Sequence, residues 1–288
     1  MAASRPDPAP ARRVVAVGDV HGACDELVRH LKATGLVDGS LRWVGGRTHL
    51  VQTGDVLDRG PAPLAALDLL MRLAVEAAEA GGRVYALLGN HELMAVESGL
   101  GDPLSRTCWL SPANGGAATF AEWRRRSLER GDRDRPGQVF FSLFAPTGRY
   151  GRWFRQSPAV LKLGSTLFCH AGLDDPRGAT PGWAEAVLWT ALDARDFTHP
   201  WLCGAGPLWT RQLRPDGVIA VLELLGCRRM VVGHTPQPSV RAFLGGRLVN
   251  IDAGMWCGGP GGALVIEGDR VEVVSPDGSS RPLPAPRH

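Results

Sequence analysis

No C-x-x-C pair occurs among the six cysteines (Cys24, Cys108, Cys169, Cys203, Cys227 and Cys257). Their scatter argues against both a zinc knuckle and a disulfide framework. No uninterrupted apolar run approaches the ~18 residues that a membrane-spanning helix needs. The N-terminal stretch "MAASRPDPAPARR" lacks the apolar centre of a secretory signal. An imbalance of charge is missing too: 32 basic against 29 acidic residues leave a net charge of +3, too little to point to nucleic acid or an anionic membrane as partner. Lysine is scarce beside arginine, which reads as composition bias. These absences leave the expectation of a cytoplasmic protein with reduced thiols, monomeric by default.

What is present is an ordinary globular composition, 44% hydrophobic and 21% charged, long enough for one large domain. The 37 glycines and 22 prolines suggest many tight turns. Apolar β-type runs recur at Val14–Val17, His49–Gln52, Val84–Leu88, Thr166–Cys169, Met230–Val232, Ala263–Ile266 and Val271–Val274. Residues 23–34 and 61–80 place apolar side chains at i, i+3, i+4 and i+7 and predict helices, the second with Pro near its start. Strand, helix, strand, helix, strand is the opening of an α/β domain. Two segments interrupt it, 93–160, largely helical by pattern, and 176–215, rich in Pro, Trp and Gly without a clean period. Both are expected to be cap inserts within a single domain over residues 13–275, with 1–12 and 276–288 as flexible tails.

Each of the first five apolar runs ends in polar residues. "GDVHG" brings Asp19 and His21; "TGDVLDRG" brings Asp55, Asp58 and Arg59; "LGNHE" brings Asn90, His91 and Glu92. "FCHAG" ends in His170 and "VVGHT" in His234. A single Gly-Asp after a strand is usually a turn, and a single buried histidine is usually a satisfied core residue. Five such endings in succession resist that explanation, because burying them unpaired costs several kcal/mol each. In open α/β sheets, ligands bind beyond the carboxyl ends of the strands, so these residues should converge. Hard oxygens and imidazoles are too many for one tetrahedral zinc. They suit two divalent cations that share a carboxylate, acidify a common water and offset the charge of a phosphate attacked in line.

The order GDVHG, GDVLDRG, GNHE, CHAG, GHT resembles the phosphoprotein phosphatase family of the calcineurin-like metallophosphoesterases, over residues 14–274. "FCHAGL", "PLWTR" at 207–211 and the late "VVGHT" are most similar to its bacterial, Shewanella-like branch. The resemblance implies a central β-sandwich flanked by helices, with a helical cap. It also implies a phosphomonoesterase acting on phosphoproteins (Ser/Thr or Tyr), with attack by hydroxide held between two cations: manganese first, iron or zinc otherwise. By the same resemblance Asp19 and His21 hold one metal, Asp55 bridges, and Asn90, His170 and His234 hold the other. His91 is the general acid held by Asp58, Arg59 binds phosphate along with Asn90, and Arg211 is the candidate second phosphate-binding arginine.

Other residues read as structural. Glu92 is expected to buttress the His91 loop. Cys169 has no Cys-x5-Arg loop and is taken as a buried small residue. "GMWCGGPGGAL" at 254–264 reads as a turn between closing strands, since no helix pattern or Lys follows. The tryptophans of the inserts read as packing of the cap, and His30, His49, His199 and His288 as structural or solvated. The competing readings are a dinucleoside polyphosphate (Ap4A-type) hydrolase and, in a different class, a non-catalytic metal-binding scaffold.

Overall fold

A computed structural model describes residues 12–131, 136–178, 180–284 and 286. The expected N-terminal tail, apart from Arg12, lies outside them, as does His288. β1 (Val14–Val17), β2 (His49–Gln52) and β3 (Arg83–Ala86) are parallel neighbours, linked by α1 (Cys24–Ala33) and α2 (Pro63–Glu79). The first sheet is completed by the antiparallel strands β9 (Ala263–Glu267), β10 (Arg270–Val274) and β11 (Ser280–Pro282), in the order β11-β10-β9-β1-β2-β3. A second sheet has the order β4-β5-β6-β8-β7, from β4 (Val160–Leu163), β5 (Thr166–Cys169), β6 (Arg229–Val232), β7 (Arg241–Phe243) and β8 (Leu248–Asn250).

The two sheets pack face to face. Along β1, Val14 and Ala16 join Val51, Phe168, Val231, Val249 and Leu264 in one apolar cluster between the sheets. Val15 and Val17 point the other way, into a cluster with Leu27 and Leu31 of α1 and Leu67 and Leu70 of α2. A strand buried on both faces reads as a continuous apolar run, which is why VVAV shows no alternation. The result is a mixed α/β sandwich flanked by helices.

The segment after β3 is helical. α3 (Asn90–Leu100), α4 (Pro103–Leu110), α5 (Gly116–Glu129), α6 (Pro136–Ser142) and α7 (Arg149–Phe154) follow one another, with Trp109, Phe140 and Phe144 packed ring against ring. The aperiodic segment contains a 14-residue helix, α8 (Pro181–Ala194), and α9 (Pro215–Leu224) follows it. Pro starts α8, and Ala184, Leu188, Ala191 and Leu192 form its buried stripe. Trp183, 45% exposed on the outer face, blurs the hydrophobic contrast by which an amphipathic helix is read.

The C-terminal expectation needs correction. Residues 276–288 do not form a tail throughout: β11 pairs with β10, Leu283 is buried, and Arg281 Nη2 donates to the Val240 carbonyl at 2.6 Å. Ser275–Ser279 make the turn, closed by Ser275 N–H on Ser279 O and by the Asp277 carboxylate accepting from the Ser279 N–H and hydroxyl. Among the described residues no helix is long and apolar enough to cross a membrane.

Candidate active site

Six strand ends meet at one edge of the sandwich. β1 delivers Asp19 and His21, β2 delivers Asp55 to Arg59, and the N-terminus of α3 after β3 presents Asn90 and His91. β5 and β6 supply His170 and His234 from the second sheet. The sixth end is Asp252 after β8, which the sequence reading passed over although "NIDAG" follows the same pattern of an apolar run ending in Asp and Gly. Asn250 interrupts that run, which hides it. Asp252 is 2% exposed, and its field joins burial in raising the Asp19 carboxyl well above the carboxylate range.

The backbone is strained where the site is built. His21, Asp55, Asp58, Arg59 and His234 all have φ between 42° and 75°, a left-handed conformation that costs non-glycine residues on the order of 1–3 kcal/mol each. Their neighbours leave room for it. A Cβ at Gly89 would strike the Asp55 backbone and carboxylate, and one at Gly233 the Asp19 carboxylate. Glu92 holds the β2 loop in place by accepting from the N–H groups of Asp55, Val56 and Leu57 at 2.7, 2.9 and 3.1 Å. It also caps its own helix through Gly89 N–H. Its position is that of the expected buttress.

The imidazoles are oriented from behind. His21 Nδ1 lies 2.9 Å from the Leu57 carbonyl, and His170 Nδ1 2.9 Å from that of Thr53. His234 is turned the other way, with Nε2 3.0 Å from the Trp209 carbonyl. Each carbonyl can only accept, so it fixes the proton on the nitrogen facing it and leaves the other nitrogen's lone pair directed inward, the usual outer-shell arrangement of a metal-ligating histidine. The inward atoms crowd together. His170 Nε2 has Asn90 Oδ1 and His234 Nδ1 at 3.1 Å and Asp55 Oδ2 at 3.3 Å, and His21 Nε2 lies 3.3 Å from the same Asp55 oxygen. Acceptors converging on acceptors are stable around cations, and Asp55 stands between both groups. The donor set fits two divalent ions sharing one carboxylate.

Electrostatics agrees. Burial, with His91 for His21 and His170 for His234, pushes both imidazoles down to about 3, the neutral form a ligand needs. Burial alone would pull His170 down, but Asp55 and Asp19 outweigh it and push it up to about 10. Burial would raise Asp55, and His170, His91 and His21 reverse this and hold it well below the usual carboxylate range. The pocket's field therefore favours positive charge at its centre.

His91 stands apart from the candidate ligands. Two triplets among the described residues bring candidate donor atoms within 4.8 Å of one another, His21–Asp55–His91 and Asp55–His170–His234, but His91 Nδ1 lies 2.6 Å from Asp58 Oδ2. Burial pulls its pKa down, and Asp55 and Asp58 more than compensate, so the imidazole is raised above its ordinary value; His170 is raised as well, and what sets His91 apart is the carboxylate anchor on its Nδ1. Asp58 is fully buried and takes further donors from the cap, Trp109 Nε1 at 2.8 Å and Thr119 Oγ1 at 2.6 Å. Trp109 packs against Phe140 and Phe144 of the helical segment and also orients Asp58; neither it nor Thr119 was distinguishable in the sequence. Arg59 Nη2 lies 3.3 Å from His91 Nε2. Asp19 binds the His234 N–H with both oxygens, at 3.2 and 3.1 Å. Arg211 lies at the rim, with Nη1 on the His234 carbonyl at 2.8 Å.

Family comparison matches residues 12–250 to the calcineurin-like phosphoesterases. The chain belongs to that family. Among the relatives of this phosphoesterase is Shewanella-like protein phosphatase 2 of Arabidopsis thaliana, 28% identical over 295 residues, covering 84% of this chain and 71% of the relative. The cold-active protein-tyrosine phosphatase of a psychrophilic Shewanella superposes with a TM-score of 0.75 at 26% identity, over 94% of this chain and 80% of the other. A symmetrical bis(5'-nucleosyl)-tetraphosphatase of Methylococcus capsulatus is 30% identical over 188 residues, 64% of this chain and 52% of its own. The phosphoesterase is thus a hydrolase of the phosphatase type, with His and Asp groups able to hold metal. The side chains of His30, His49 and Cys169 are not in the donor groups that converge on Asp55. His30 is buried with Nδ1 against the Glu26 carbonyl, His49 is buried in β2, and burial pushes the Cys169 thiol up to about 12.

Proposed function

We propose that the chain is a metal-dependent phosphomonoesterase acting on phosphoproteins. The observation that carries this reading is the buried His91–Asp58 pair, held from the cap by Trp109 and Thr119. An alkoxide or phenoxide leaving a phosphate ester needs a proton, whereas a nucleotide leaving from an anhydride is already a good leaving group. A raised histidine with its Nδ1 anchored and its Nε2 turned into the site beside Arg59 serves the first case far more than the second. The names of the Arabidopsis and Shewanella relatives support the same choice.

In this reading Asp19, His21 and Asp55 hold one ion and Asp55, Asn90, His170 and His234 the other, manganese first and iron or zinc otherwise. When bound, the ions acidify a shared water and offset phosphate charge. Arg59, beside His91, grips the phosphate oxygens with Asn90, and its planar fork suits two of them at once. Arg211 is the candidate second clamp. His91 gives its Nε2 proton to the leaving oxygen while Asp58 stabilises the charged ring. Glu92 keeps the Asp55 loop in its strained shape throughout.

The deciding assay compares phosphoserine, phosphothreonine and phosphotyrosine peptides with Ap4A after reconstitution with Mn2+, Fe2+ or Zn2+. Faster turnover of the peptides supports the reading. Selective hydrolysis of Ap4A would replace it with the dinucleoside polyphosphatase alternative, and metal binding without turnover of either would leave the scaffold.

A further inference from the structure

The loop "GMWCGGPGGAL" is more than a turn. Gly254 and Gly258 take φ of 65° and 81° and bracket a single 3-10 turn, Met255–Cys257. Met255 is buried and anchors it, while Trp256 stands 38% exposed at the rim of the site. Its indole lies 5.2 Å from the Arg59 guanidinium carbon, with the His21 ring edge-on at 6.1 Å. From the cap, Gly115 bounds the same arginine. Its carbonyl accepts from Arg59 N–H at 3.1 Å, and a Cβ on Gly115 would come within 2.7 Å of Arg59 Cγ. Arg59 is therefore gripped at its backbone by Gly115 and at its guanidinium by the loop that joins β8 of the second sheet to β9 of the first.

We propose that Trp256 is a positioning residue, holding the Arg59 guanidinium over the site and so setting the affinity for the phosphate group. The inference rests on Arg59 being the phosphate clamp. An unheld arginine samples many rotamers that phosphate binding must freeze. One held over an aromatic face by a cation–π contact is already partly ordered, and that contact uses none of its N–H donors. Trp256 meets Arg59 through its ring face and His21 only edge-on, so its effect on phosphate is separated from any effect on metal by measuring both.

The test is a double-mutant cycle on the full, metal-reconstituted chain, read by calorimetric titration with inorganic phosphate, with metal content measured alongside. Trp256→Leu should keep its metals and bind phosphate roughly 2–10-fold more weakly. Its KM should rise by a similar factor, with kcat changed less. Trp256→Phe, which keeps a π face, should recover most of the loss. Arg59→Ala should weaken binding further, and adding Trp256→Leu to it should change nothing more, because the tryptophan acts through the arginine. Wild-type phosphate affinity in Trp256→Leu would overturn the proposal. So would an equal loss with or without Arg59, or no recovery in Trp256→Phe. A wild-type chain that hydrolyses no phosphomonoester would sink the functional reading, and the cycle would still be legible in phosphate affinity.

Discussion

His91 Nε2 and Asp55 Oδ2 lie 3.8 Å apart, yet their environments assign the two residues opposite work. Asp55 is surrounded by imidazoles that favour its anion, while His91 is anchored to a carboxylate that favours its cation. Removing the second without the first should separate chemistry from metal binding. His91→Ala is expected to retain its metals while kcat falls roughly 10²–10⁴-fold, the usual size of a general-acid effect. The loss should shrink for nitrophenyl phosphate, whose leaving group needs little protonation. Equal losses on nitrophenyl phosphate and a phosphoserine peptide would rule His91 out as the acid.

At the scale of elements, α3 links the site to the cap, and its second half carries a titratable group of its own. Glu97 is 6% exposed; burial pushes its carboxyl up to about 8, opposed by the Ser105 hydroxyl, which donates to it at 3.2 Å. Because this lies above the ordinary 4.5, the fold binds the Glu97 proton more tightly than the unfolded chain does. The resulting stabilisation is fully present below pH ~4.5 and is lost as pH rises through about 8. Glu97→Gln should flatten that decline. Its Tm should match the wild type near pH 4.5 and exceed it above pH 8, and melting curves across pH check this. A parallel decline in both proteins would remove Glu97 as its source. The same helix marks what could be read beforehand. Asn90 and His91 were legible because they end an apolar run, as were the ends of β1, β2, β5 and β6. Trp109 and Thr119 were not, because their role depends on two successive helices, α4 and α5, folding back on Asp58. β4, β7, β8 and β11 are short, three or four residues each, and find their partners through tertiary pairing that local pattern does not display.

Across the whole molecule, the candidate ligands come from both sheets. Asp19, His21, Asp55 and Asn90 follow strands of the first, and His170 and His234 follow strands of the second. A metal pair would then fasten the two halves of the sandwich at one edge, opposing the strain and the repulsion between buried carboxylates there. Ions that bind the fold and not the unfolded chain stabilise it by ~2.7 kcal/mol at a hundredfold excess over Kd. For a chain of this size that is a rise in Tm of roughly 4–5 °C for each ion. Stripping with a chelator should lower Tm by that order, and adding Mn2+ back should restore it. Asp55→Asn should lose metal and nearly all turnover, and its Tm should no longer respond to Mn2+, since the shared carboxylate serves both groups. Two metals per chain with near wild-type turnover in Asp55→Asn would break the bridging assignment. An unchanged Tm in the stripped wild type would show that the ions do not fasten the sheets.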